Sequence, residues 1–265
     1  MEDTYETQAK GLRILPGQWR PHYPFEQIAW VSPPWPSQDY VWLDFPEAIF
    51  TNQGLIYLSH INPQVTSCYH DLPRVPWTVE SGRMTFQRLL PNGVRFGGRI
   101  ALANHAAVAL HLWIENGSSA PLRNIQLQTC VFLRACREFA DFTMDNKYIH
   151  TPQQGWLSLP AAHAGAPEAG AYGLGWRGGP RIADRPIIVT LSNPPGRLLA
   201  ITWYDSTLSL TGNAGHPCMH ADPFFPDLDP GASASIDGSL AFFVGRIEDL
   251  TMDDLTHTTT HSPQA

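Results

Sequence analysis

The 265-residue chain carries a formal net charge of −7, has no run of Lys or Arg, and is 15% charged against 43% hydrophobic. This balance excludes binding driven by phosphate neutralisation, so no nucleic-acid partner is expected. No apolar stretch approaches the roughly 20 residues needed to span a bilayer, so no membrane partner is expected either.

In chain order, the start MEDTYETQAK is acidic and polar, unlike a secretory leader. A cytoplasmic protein is therefore expected, with Cys68, Cys130, Cys136 and Cys218 as free thiols. Residues 1–12 and 256–265 read as flexible termini around a single domain over residues 13–255. GLIYLSHI (residues 54–61) is a β-type run that ends on Ser59-His60, and His70-Asp71 follow in CYHDLP. The segment 83–102 has an Asn92-Gly93 turn between two such runs, which predicts a hairpin because Gly tolerates positive φ.

AVALHLWIENG (residues 107–117) alternates, with Val108, Leu110, Leu112 and Ile114 on one face. NIQLQTCVFLRA (residues 124–135) alternates too, setting Gln126, Gln128, Cys130, Phe132 and Arg134 against Ile125, Leu127, Thr129, Val131 and Leu133. A short polar link joins the two runs, which predicts an antiparallel pair. Residues 135–145 suggest a short helix, and the Gly/Ala/Pro-rich stretch 160–184 a long loop or lid. Further strands are expected over residues 185–192, 197–206 and 239–247. Many strands, few helices and turns every 8–15 residues predict an all-β fold, a large antiparallel β-sandwich.

GHPCMHADP, residues 215–223, concentrates reactive side chains. In an extended segment alternate residues share a face, so His216, Cys218, His220 and Asp222 would line up about 6–7 Å apart. Imidazole and carboxylate suit zinc, manganese or iron, and a thiolate favours zinc. The plainer alternative is a polar loop at a sandwich edge, because Pro217 and Pro223 interrupt ladder pairing. His60 alone reads more often as a hydrogen-bonded core residue than as a catalyst. DNKYIH, with Lys147 and His150, offers groups that act as acid or base when burial shifts them, or else forms a solvated loop. Gln128 suits sugar hydroxyls if it faces a cleft. Arg99 could bind an anionic group, and Trp203 could stack on a sugar or simply fill the core. GxSxG, Walker, GxGxxG, HExxH and EF-hand patterns are all missing from the sequence.

Three segments carry a resemblance: PNGVRFGGRIAL, the early strand ending in His60, and DLDPGASASIDGSLAFFVG. Together they resemble the galactose-mutarotase-like, or aldose-1-epimerase-like, superfamily of β-sandwiches. The resemblance implies a mutarotase-like supersandwich, preferred here over a jelly roll, and a sugar substrate class. The expectation is a carbohydrate-active epimerase, lyase or hydrolase that works by proton transfer on a sugar or sugar acid. His220 is the leading acid/base, held by Asp222, with His60 across the cleft. Arg99, Gln128, Lys147, His150 and Trp203 would position the substrate. No cofactor is expected on this reading, and the partner is a small-molecule or oligosaccharide substrate, with a homo-oligomer left open. The rivals are an enzyme with a divalent metal on His216, His220 and Asp222, and a non-catalytic carbohydrate-binding module.

Overall fold

The computed structural model describes residues 11–17, 27–62, 64–69 and 71–255. Strands dominate, and in chain order they begin with β1 (Ile14–Pro16), β2 (Ile28–Val31), β3 (Val41–Thr51), β4 (Gly54–Leu58), β5 (Thr78–Glu80) and β6 (Arg83–Leu89). The middle of the chain gives β7 (Val94–Leu102), β8 (Ala107–Asn116), β9 (Gln126–Phe132), β10 (Lys147–Thr151), β11 (Gly155–Ser158) and β12 (Tyr172–Leu174). The last six are β13 (Arg181–Ala183), β14 (Ile187–Leu191), β15 (Arg197–Thr202), β16 (Thr207–Asn213), β17 (His216–Pro223) and β18 (Ser233–Val244).

These strands form two nine-stranded sheets. The first runs β1-β2-β3-β9-β17-β16-β12-β13, with β4 also paired to β3; the second runs β11-β10-β14-β15-β18-β8-β7-β6-β5. Pairing is antiparallel except between β12 and β16. The fold is thus an all-β sandwich, as the alternating sequence runs predict.

One continuous apolar core lies between the sheets. Its second-sheet side is the alternating set on β8, Val108, Leu110, Leu112 and Ile114, all at most 1% exposed. Its first-sheet side includes Val41, Leu43 and Phe45 of β3 and Leu127 and Val131 of β9. A second cluster, with Ile187, Val189, Leu198, Ala200 and Ala241, covers the outer face of the second sheet beneath Ile247, Leu250 and Leu255. The predicted hairpin is β6–β7, turning through Gly93 at φ +90°. Gly98 is required on β7, because a Cβ there would sit 2.4 Å from the Phe45 ring.

Four expectations are corrected. β8 and β9 do not pair: β8 lies between β7 and β18, whereas β9 lies between β3 and β17. The polar link between them crosses from one sheet to the other, and Asn116 holds that crossing by donating to the carbonyls of Ala120 and Leu228. Residues 135–145 form turns instead of a helix; Asp141 accepts from the Thr143 and Asn146 amides, satisfying the backbone locally. The stretch 160–184 is structured, with a helix α1 (Leu159–Gly165) capped by Ser158, then the β12–β13 hairpin. GHPCMHADP is not an edge loop: it builds β17, flanked by β16 and β9. Of the flexible termini expected at 1–12 and 256–265, residues 1–10 and 256–265 lie outside the described residues, and so does His70. Leu12 packs into the core.

Candidate functional site

Three neighbouring strands of the first sheet, β3, β9 and β17, turn one face away from the core. On β9 this face carries Gln128, Cys130 and Phe132, the phase read from the sequence. The register Trp42↔Phe132 and Asp44↔Cys130 sets β3 beside it. The register then shifts, with Asp44↔Cys130 followed by Ala48↔Gln128, so β3 uses four residues where β9 uses two. This irregularity around Pro46 turns Glu47 into the same hollow. On β17 the side chains of His216, Cys218 and His220 meet: Cys218 Sγ lies 3.2 Å from His216 Nδ1 and 3.0 Å from His220 Nε2.

Above this face is a pocket of about 720 Å³. Its floor and walls include Asp44, Glu47, His60, Gln128, Cys130 and His216. Aromatic rings frame it. Phe132 stacks on His216 at 4.7 Å and packs against Trp42 at 5.7 Å. On the opposite rim Trp176, delivered by the loop between β12 and β13, meets Phe50 edge-on at 5.8 Å. Arg177 fixes that loop, stacking on Phe50 and donating to Gln126.

Glu47 lies between two histidines. Its Oε1 is 3.7 Å from His60 Nδ1, and its Oε2 is 3.9 Å from His220 Nδ1. Both separations are ion-pair distances, longer than direct hydrogen bonds. Ser59 ties the end of β4 to β3, its hydroxyl donating to Asp44 Oδ2 at 2.6 Å, and so holds His60 over the floor. His220 Nδ1 is 3.1 Å from the Thr129 carbonyl, which can only accept, so Nδ1 carries the proton and Nε2 faces Cys218 bare or as a second donor.

The charges beneath the floor are strongly coupled. Hydrogen bonding from Cys130 holds the Cys218 thiol far below its ordinary value; burial opposes this, and the His220 charge reinforces it. Cys130 is correspondingly raised by its hydrogen bond to Cys218 and by burial. Burial by itself lowers His220, but the attraction of Cys218, Asp222 and Glu47 outweighs it and raises the ring's pKa. Burial pushes Asp222 up to about 7.

The sequence-predicted residues divide clearly. His60, Gln128 and His216 line the pocket. His220 and Asp222 lie directly beneath it, 1% and 3% exposed, too enclosed to touch a ligand in the hollow. Arg99 is on β7 of the other sheet, beside a separate groove with Arg83, His111 and Asp237. His150 is on β10, where its ring meets Asp184 at 2.7 Å and Trp156 edge-on. Lys147 is fully buried, donating to the Asp141 carbonyl and to Asn146. Trp203 is fully buried, stacked on Phe45, with its indole N–H donated to Thr129. These four belong to the second sheet and the core, and burial or distance removes them from the pocket. Glu47, Asp44 and Trp42 are among the pocket residues that the sequence analysis does not single out. The one available signal was VWLDFPEAIFT itself, a strand pattern interrupted by Pro46.

No protein-family model matches the chain, and no curated protein matches it. Solved structures resemble it weakly. One, from Escherichia coli K12 and described as a candidate aldose 1-epimerase, is 8% identical, with 88% of this chain and 100% of that chain covered and a TM-score of 0.46. An aldose-epimerase homologue from C. elegans is 9% identical over 90% and 100% of the two chains, with a TM-score of 0.42. A galactose 1-epimerase from Lactobacillus acidophilus is 11% identical over 89% and 99%, with a TM-score of 0.37.

Proposed function

We propose that the hollow on the β3–β9–β17 face binds a sugar or sugar acid and that Glu47 and His60 move a proton on it. The observation that carries this reading is the carboxylate of Glu47 held beside two imidazoles at the floor of a ring-framed pocket. A pyranose has apolar C–H faces and a rim of hydroxyls. Trp42, Phe132 and Trp176 offer flat surfaces for the faces; Asn62, Gln128 and Asn213 offer amides for the hydroxyls. Arg134, also in the lining, suits the carboxylate of a sugar acid.

In this scheme Glu47 takes a proton from the substrate and His60, sharing that carboxylate, returns one. His220 acts as a positioning residue that holds Glu47 from below; Asp222 is buried behind it. The reaction class is an epimerisation, elimination or hydrolysis run by acid/base exchange.

The test is a panel of monosaccharides, uronic acids and short oligosaccharides, read by ligand-observed NMR for binding and by product analysis for turnover. Glu47→Gln and His60→Gln should each keep binding and lower turnover by about 10²–10⁴-fold. Turnover unchanged in both variants, or no panel member binding the wild type, would overturn the reading.

A further inference from the structure

Cys130 and Cys218 have no part in the proton-transfer scheme, and His220 serves it only through its Nδ1 side, which faces Glu47. We infer that these three side chains form a site for a zinc-class divalent ion beneath the pocket floor. Each offers one ligand atom, and the three atoms lie within 4.8 Å of one another. A tetrahedral zinc with bonds of about 2.3 Å to sulfur and about 2.0 Å to nitrogen requires about 3.8 Å between sulfurs and about 3.5 Å between sulfur and nitrogen. The observed Sγ to Nε2 distance of 3.0 Å between Cys218 and His220 reaches that value by a small ring or thiol rotation.

Three further features fit a metal better than a core contact. First, the ring turns one nitrogen to each side. Nδ1 lies 3.1 Å from the Thr129 carbonyl, and Nε2 faces Cys218 at 3.0 Å, where a divalent ion would displace the proton shared with the thiolate and leave the outer-shell arrangement usual for metal-bound histidine. Second, the ligands sit on two adjacent strands of a packed sheet, with the register Cys218↔Phe132 carrying His220 opposite Cys130, so their spacing is fixed by backbone hydrogen bonds. Third, two thiolates and a divalent ion sum to zero charge, which suits a place where Cys218 and His220 are at most 1% exposed.

The donor set selects the metal. Two sulfurs and one imidazole favour zinc over magnesium, calcium or manganese. Three protein ligands leave a fourth position. Cys130 and His216 both line the pocket, so that position opens to the hollow on the His216 side, and the ion enters the same way. Asp222 is not part of this set; its Oδ1 faces the Thr129 amide.

The experiment titrates the full, reduced, untagged chain with Co2+, followed by Zn2+ competition. Binding should saturate at one equivalent, with an intense near-ultraviolet thiolate-to-cobalt band and the visible bands of tetrahedral cobalt, both erased by Zn2+. Cys130→Ser and Cys218→Ser should each weaken binding by about 100-fold or more, because each removes a direct ligand. Cys68→Ser and Cys136→Ser should leave the titration unchanged, as should Glu47→Gln. The last variant separates this inference from the proton-transfer reading, since it disables one and spares the other. The inference is overturned by a folded wild type that gives no thiolate band. It is equally overturned by Cys130→Ser and Cys218→Ser variants that bind as tightly as the wild type.

Discussion

Ser59 and Asp44 are joined by a buried hydrogen bond of 2.6 Å between the end of β4 and the middle of β3. The bond does two things. It gives a buried carboxylate a donor, and it fixes the chain at the point where His60 leaves the strand for the pocket. Ser59→Ala should therefore lower stability by about 1–3 kcal/mol in chemical denaturation, the usual range for removing one partner of a buried polar pair. The same variant should reduce turnover while leaving the metal titration as it is, because Cys130, Cys218 and His220 do not depend on β4. Denaturation and kinetics on one preparation check both.

Trp203 belongs to the core, between Phe45 and Thr129. Trp203→Ala should cost about 3–5 kcal/mol, the range for deleting a large buried aromatic side chain. Trp203→Phe keeps a ring against Phe45 and loses the indole donor and part of the buried volume, so it should fall short of that cost. A carbohydrate platform would show the reverse order of interest, with affinity changing before stability. Denaturant midpoints for the two variants separate the cases.

Gly98 bears on the segment PNGVRFGGR. A methyl group on Gly98 would stand 2.4 Å from the Phe45 ring and 2.9 Å from the Phe86 ring. Both rings are packed, so Gly98→Ala should destabilise by about 1–3 kcal/mol through overpacking. Phe45 immediately precedes Pro46-Glu47, so the same variant should also disturb the carboxylate in the pocket. A lowered denaturation midpoint together with altered turnover is the expected result.

Lys147 gives a pH dependence. Burial lowers its pKa from the free value of 10.5, despite the opposing pull of Asp141. Between the depressed folded value and 10.5 the unfolded chain holds the proton more often than the folded one, so stability rises with pH across that window. Below the folded value both forms are charged and the penalty for burying the ammonium is complete. Lys147→Met, of similar length and uncharged, should remove this rise. The difference in unfolding free energy between wild type and variant, measured from neutral pH to pH 10.5, should shift in favour of the wild type as pH increases.

The sequence made some parts of this molecule readable and hid others for physical reasons. Alternation over residues 124–135 correctly assigned Gln128, Cys130 and Phe132 to one face, because the side-chain period of a strand is set by the backbone alone. The same rule put His216, Cys218 and His220 together on β17. Partnership is a different matter. β8 and β9 have the alternation of a hairpin, yet each pairs within its own sheet, since alternation says which face is buried and not which sheet buries it. Glu47 is hard to read from the sequence because Pro46 looks locally like a strand end, although β3 runs on through it with a register shift. Lys147, His150 and Trp203 were candidates by residue type, and only tertiary packing distinguishes a buried anchor from a reactive group.

The three strands that shape the hollow come from residues 41–51, 126–132 and 216–223, so it draws on most of the polypeptide at once. A chain that has folded only its N-terminal half holds Glu47 and Cys130 without His216, Cys218 and His220 of β17. Any molecule or ion that occupies this place therefore recognises the finished protein and ignores its precursors. By mass action it should protect the mature form against heat and proteolysis in proportion to its concentration.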